Sequence, residues 1–232
     1  MVLRYVSDHI AAFFQVVVYA KHSVMNYSKL AFTDAIKQLQ EKQGSRLAYD
    51  RVEKMSYVDG LTDAEIEFIG QRDSFYMASF SENEYPYIQH RGGPKGFIKV
   101  IDNSTIGIVD FTGNRQYISV GNISKNAKVS LILVSYPQRA RLKIYAEAEI
   151  VELDENPELY QLLKPADYKF KPERMMIFKI KAYDWNCQQH ITPRFSVPEI
   201  EELVAPQKRY IISLEEEVKR LKEELAKKNN IS

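Results

Sequence analysis

The chain has one cysteine, one tryptophan and a net charge of only +1 in 232 residues. A lone cysteine, Cys187, excludes an intrachain disulfide framework and a cysteine-rich zinc site. His90 and His190 stand apart from it and lack His-x-x-x-His spacing, so no metal is expected. With 32 Lys and Arg against 31 Asp and Glu, the whole-protein field draws neither nucleic acid nor a membrane surface. Any anion site must be built from locally placed cations. The apolar run Ile10–Ala20 is far shorter than the roughly 20 residues of a membrane span. Val18-Tyr19-Ala20 resembles a signal cleavage site, but Asp8, His9 and Gln15 break up the run and Arg4 is its only fixed cation. Residues 1–30 are therefore read as an N-terminal extension, of which 1–24 precede a second methionine, Met25, and the protein is read as cytoplasmic. Neither a Walker A loop nor a G-x-G-x-x-G or G-x-S-x-G motif occurs.

What the chain does have is 15 Tyr and 11 Phe, a bias toward β-structure and flat ligand surfaces. Two helices are expected first: Phe32–Gln43, with Phe32, Ile36 and Leu39 at helical spacing and Gly44 as its stop, and a second from Thr62 to about Ile69. Thr62 and Glu65 have the spacing of a capping box. Short strands broken by turns follow: Phe75–Phe80, Tyr87–Gln89, Phe97–Ile101, Thr105–Phe111, Val129–Val134, Arg141–Val151 and, after a helix at Pro157–Leu163, Met175–Tyr183. This spacing predicts an antiparallel barrel or sandwich at residues 31–200. Residues 201–232 are predicted to form an amphipathic helix with Ile211, Leu214, Val218, Leu221 and Leu225 at a/d spacing. Packing on its own domain and pairing with a second chain both fit that stripe.

Three stretches carry chemistry. In YIQHRGGPKGFIKV, Tyr87–Val100, glycine and proline interrupt a strand that His90, Arg91, Lys95 and Lys99 surround. Either this is a solvated turn, or backbone amides and cations converge on an anion there. Asp110–Ser119 presents Asn114, Arg115, Gln116 and Ser119 as the chain enters a helical turn, which fits an anion site or a plain polar cap. WNCQQHITPR, Trp185–Arg194, sets the only tryptophan beside Gln189, His190 and Arg194. That set suits either a flat heterocycle or a structural indole.

Taken in order, QHRGGPKGF, DFTGNRQYISVGN, YPQRARLKI and WNCQQHITPR make the chain resemble a bacterial branch of the pyridoxamine 5′-phosphate oxidase-like, FMN-binding split β-barrel family. The resemblance runs from about Asp34 to the tail and is densest from Ser74 to Arg194. It implies a mainly β fold, a six-stranded antiparallel split barrel with N-terminal helices, working as a homodimer with FMN between subunits. It implies FMN contacts from Arg91 and Lys99, with Gly92, Lys95 and Phe97 in the same wall, and from Asn114, Arg115, Gln116 and Ser119. Trp185, Gln189 and Arg194 are implied near the ring, Trp185 and Arg194 coming from the partner subunit. At Gln189-His190-Ile191 the chain departs from the named oxidase, which points away from vitamin B6 oxidation itself. The expected activity is oxidoreduction of a small substrate. A flavin carrier or sensor without turnover, and a split barrel holding haem or a deazaflavin, are the alternatives. No catalytic residue is assigned, although His90 and His190 are the candidates for acid–base work.

Overall fold

The computed structural model describes residues 24–55 and 59–229. The expectations about the apolar N-terminal run and its cleavage-like site lie outside these residues. The chain divides into two compact units. One holds the residues up to Ser135 together with Ala140–Gln189, the other Tyr136–Arg139 with His190–Ser232.

The first unit is an antiparallel sheet with helices. Its strands are β1 (Met25–Asn26), β2 (Ser74–Phe80), β3 (Pro86–Gly92), β4 (Lys99–Asp102), β5 (Thr105–Phe111), β6 (Lys128–Ser135), β7 (Ala140–Val151) and β8 (Pro172–Asn186). Helices α1 (Tyr27–Ala31), α2 (Asp34–Lys42), α3 (Arg46–Met55) and α4 (Asp63–Gly70) precede β2; α5 (Ile118–Lys125) follows β5 and α6 (Pro157–Leu163) follows β7. Among the described residues eight strands are thus present, where the resemblance implied six and the sequence pattern marked seven; the strand beyond the pattern is β1, which adds two residues in parallel to β8.

The order β3-β2-β6-β7-β8-β5-β4 puts β3 and β4 at opposite edges, yet only residues 93–98 join them. Seven flat strands would span about 29 Å, six gaps of about 4.8 Å. The link from Gly92 to Lys99 reaches at most about 25 Å fully extended, and it contains a turn, Phe97 N–H donating to the Pro94 carbonyl at 2.9 Å. The sheet must therefore curl toward closure, as a split barrel requires.

Alternation decides what fills the curl. Phe75 and Met77 of β2, Leu131 and Leu133 of β6, Leu142 and Ile144 of β7, and Phe178 and Ile180 of β8 are buried in one apolar cluster. β5 is buried on both faces: Ile106 and Ile108 join that cluster, while Val109 joins a second one with Leu159 and Leu163 of α6. At Gly107 a Cβ would lie 2.9 Å from Leu163 Cδ2, so the close approach of α6 to β5 needs glycine there.

The expected capping box starts α4, with the Glu65 carboxylate accepting from Thr62 N–H at 2.9 Å. Arg72 closes the other end, donating from Nε to the Phe68 carbonyl at 3.1 Å. The helix at Pro157–Leu163 forms within the expected bounds, with Asn156 as N-cap and Pro157 in its first turn. β3 runs past the expected Gln89 to Gly92. As an edge strand it carries Pro86 as its first residue, where no ladder bond is lost. In the second unit, α7 (Val197–Asn229) is a single helix of 33 residues containing Pro206.

Candidate functional site

The interrupted strand has a structural explanation. Gly93 N–H donates to the Asp73 carbonyl at 2.8 Å and Gly96 N–H to the Arg72 carbonyl at 3.1 Å. These amides and that of Phe97 are occupied by the protein itself and do not converge on an anion. A Cβ on Gly93 would sit 2.6 Å from Phe97 Cγ, so the glycine makes room for a core side chain. Phe97 is 2% exposed and stacks on Phe75 with centroids 6.0 Å apart, which places it in the core. Gly93→Ala is expected to lower stability by about 1–3 kcal/mol through this overlap. Thermal unfolding should show the loss, and Phe97→Leu in the same chain should return part of it.

The cation that matters here is Arg91. Its guanidinium forms an ion pair with Asp110, the one charged residue of β5, and the two side chains are 11% and 9% exposed. Arg91 also donates to Gln89 Oε1 at 3.3 Å, and Ser119 at the start of α5 donates its hydroxyl to the same oxygen. β3, β5 and α5 thus meet in one polar network. Across the ladder Asp110 pairs with Arg174 of β8. The Arg174 guanidinium lies 5.0 Å from the centroid of the Tyr117 ring and 3.5 Å from Glu173, and Tyr117 donates its hydroxyl to Glu173 at 3.2 Å. Burial pushes the Asp110 carboxyl above its usual range, against the pull of Arg91 and Arg174.

Three buried polar atoms in this neighbourhood have no partner among the described residues: Arg91 Nε, Arg174 Nε and Thr112 Oγ1. A buried donor without an acceptor costs about 1–3 kcal/mol. Three together around the end of β5 fit a ligand that brings acceptor oxygens. The two arginines are balanced by Asp110 and Glu173, so positive excess must come from exposed Arg115, three residues before the first residue of α5. Both Arg115 (φ 60°) and Tyr117 (φ 55°) adopt left-handed backbone, and Asn114 Oδ1 accepts from Gln116 N–H at 3.2 Å.

Of the sequence candidates, Arg91 and Ser119 come together through Gln89, with Asn114, Arg115 and Gln116 exposed in the adjoining turn. Gly92 ends β3, Lys95 is exposed in the link and Lys99 begins β4. Trp185 stands elsewhere in the unit. Its indole N–H donates to Glu65 and its ring meets Phe68 edge-on at 4.7 Å, although 39% of it remains exposed. Gln189 is exposed beside Cys187, its N–H 3.5 Å from the sulfur. Arg194 and His190 belong to the second unit, where the Arg194 guanidinium lies 5.0 Å from the centroid of the Tyr136 ring. His90 turns to the ring of Tyr76, 5.3 Å away. Sequence reasoning missed Gln89, Asp110, Thr112 and Arg174. Asp110 had a signal, a carboxylate closing an apolar strand; Arg174 had none, since only the β5–β8 pairing brings it near. Among the described residues no cluster of His, Cys, Asp and Glu could hold a metal, and no helix is long and apolar enough to cross a membrane.

Residues 61–185 match the pyridoxamine 5′-phosphate oxidase family. No curated protein matches the chain. Similar solved structures include the Lactobacillus delbrueckii protein LDB0262 at 20% identity, covering 55% of this chain and 95% of that one, with a TM-score of 0.42. HupZ of Group A Streptococcus is 15% identical, with 58% and 99% covered and a TM-score of 0.42. An FMN-binding protein of Syntrophomonas wolfei is 16% identical, with 65% and 97% covered and a TM-score of 0.37. At these identities and scores they bear on neither cofactor nor substrate.

Proposed function

Since the chain belongs to the pyridoxamine 5′-phosphate oxidase family, we propose that it binds FMN and uses it for oxidoreduction of a small substrate. The observation that carries this reading is the set of unpartnered buried donors Arg91 Nε, Arg174 Nε and Thr112 Oγ1. Arg91, Arg174 and Thr112 would bind the phosphate oxygens, with Asn114, Arg115 and Gln116 closing over them from the turn. Charge-assisted bonds from guanidinium to phosphate are the strong class. Asp110 and Gln89 act as positioning residues, holding the Arg91 guanidinium while its Nε stays free. When bound, FMN supplies two-electron transfer, and the protein's part is to bind and orient it.

The same proposal includes a homodimer with the flavin between subunits. Its support is an apolar outer face on the sheet, where Tyr76 and Phe80 of β2 share a side with Ile88 of β3, 67% exposed. A flavin carrier without turnover has one observation in its favour: neither histidine considered for acid–base work lies in the Arg91 network. Reduction of bound flavin by a nicotinamide or a substrate screen separates the two readings.

Titration of purified protein with FMN, followed by flavin fluorescence, tests the assignment. Arg174→Met and Thr112→Val should each weaken binding roughly 10-fold or more, the worth of a hydrogen bond to a charged group. Unchanged affinity in both variants would remove the phosphate from this site.

A further inference from the structure

We propose that α7 pairs with the α7 of a second copy of this chain as a parallel two-stranded coiled coil. The inference does not rest on the flavin reading. At 33 residues the helix is about 50 Å long. Pro206 removes one of its internal hydrogen bonds, so the seam is counted from Gln207 onward. From there Ile211, Val218 and Leu225 occupy a positions and Leu214 and Leu221 occupy d positions. All five are between 45% and 60% exposed in the single chain. Such a stripe of large apolar side chains calls for a partner.

The residue types select the partner. β-branched residues at a with leucine at d favour two parallel strands, and Ile211 and Val218 sit at a with Leu214 and Leu221 at d, while Gln207 and Lys228 hold the d positions at the two ends of the seam. The flanking charges agree. In a parallel pair, g faces e′ of the next heptad, which sets Glu217 against Lys222 of the other copy and places no like charges together. In an antiparallel pair g faces g′ and e faces e′, so Glu215 would meet Lys222 but Glu217 and Glu224 would meet as like charges and cancel that gain. Glu217 also accepts from Arg220 of its own helix at 2.7 Å, which leaves its second oxygen for the partner. A parallel pair has a two-fold axis along its length and is isologous, so it closes at two copies.

Cysteine cross-linking in the full chain tests this. With Cys187→Ser as background, Ile211→Cys, Leu225→Cys and Glu223→Cys are oxidised mildly and run on a non-reducing gel. Cysteines at both a positions should form interchain dimers about tenfold faster than the outward f-position cysteine of Glu223→Cys, because only a and d residues face each other. Adding Leu221→Asp to Ile211→Cys should slow its cross-linking about tenfold, the worth of one buried leucine. Cross-linking at 211 and 225 no faster than at 223 would overturn the proposal, whether the helix is single, antiparallel or bound to another protein. So would a rate unaffected by Leu221→Asp.

Discussion

Arg91→Met is expected to destabilise the protein by about 3–5 kcal/mol, because it leaves Asp110 buried without its ion-pair partner. For a chain of this size the melting temperature should fall on the order of 10 °C. The loss should depend on pH with a definite sign. Burial already raises the Asp110 carboxyl despite Arg91, and removing the cation raises it further. A carboxyl whose folded pKa exceeds its unfolded value, about 3.9, binds its proton more tightly when folded. Its contribution is then fully present below the unfolded value and lost as pH rises through the folded one. Denaturant unfolding of variant and parent should therefore show a small difference near pH 4 and the full difference at pH 7. An equal difference at both would mean that Asp110 is not the cause. Arg91→Met with Asp110→Leu should recover much of the stability, since an apolar pair needs no compensating charge. Flavin binding should not return with it.

Glu65→Ala should cost about 2–4 kcal/mol, for a different reason. The Glu65 carboxylate accepts from Thr62 N–H, the Thr62 hydroxyl, the Tyr183 hydroxyl and the Trp185 indole. Removing it takes the cap from α4 and strands several half-buried donors at once. Burial works to raise the Glu65 carboxyl, but the hydrogen bonds from Thr62 and Trp185 prevail and hold it below its usual value. Its contribution is thus present above the unfolded pKa, about 4.3, and lost as pH falls through the folded value, the reverse of Asp110. Tyr183, pushed up to about 12 by burial and by Glu65, should titrate lower in the variant, which loses the Glu65 share and keeps the burial, followed by tyrosinate absorbance. Trp185 is the only tryptophan, so a shift in its emission reports the lost bond directly. Parental stability together with unshifted emission in Glu65→Ala would refute the role given to this carboxylate.

Much of the first unit was legible because its signals are local. Short apolar runs between turn signals marked β2 and β6, period-two alternation marked β7, the Thr62–Glu65 spacing marked α4, and the run of motifs identified the family. The short N-terminal elements were not legible in this way. α1 has five residues and is set by Asn26, whose side chain accepts from Ser28 N–H at 2.9 Å. β1 exists only because Met25 and Asn26 lie alongside β8. Neither leaves a periodicity long enough to read.

The sequence by itself determined the strands other than β1, the capped helix, the heptad stripe and the positions of Arg91 and Ser119, since each depends on neighbours a few residues away. Only the tertiary structure decided what those residues do. Strand order put β3 and β4 at opposite edges and turned the Gly-Gly-Pro link into a closure that makes room for Phe97. The β5–β8 register set Arg174 opposite Asp110, and curling brought Glu65 to Trp185, 120 residues on. Contacts between residues so far apart depend on how strands pair, and pairing minimises the free energy of the whole sheet rather than of any one segment.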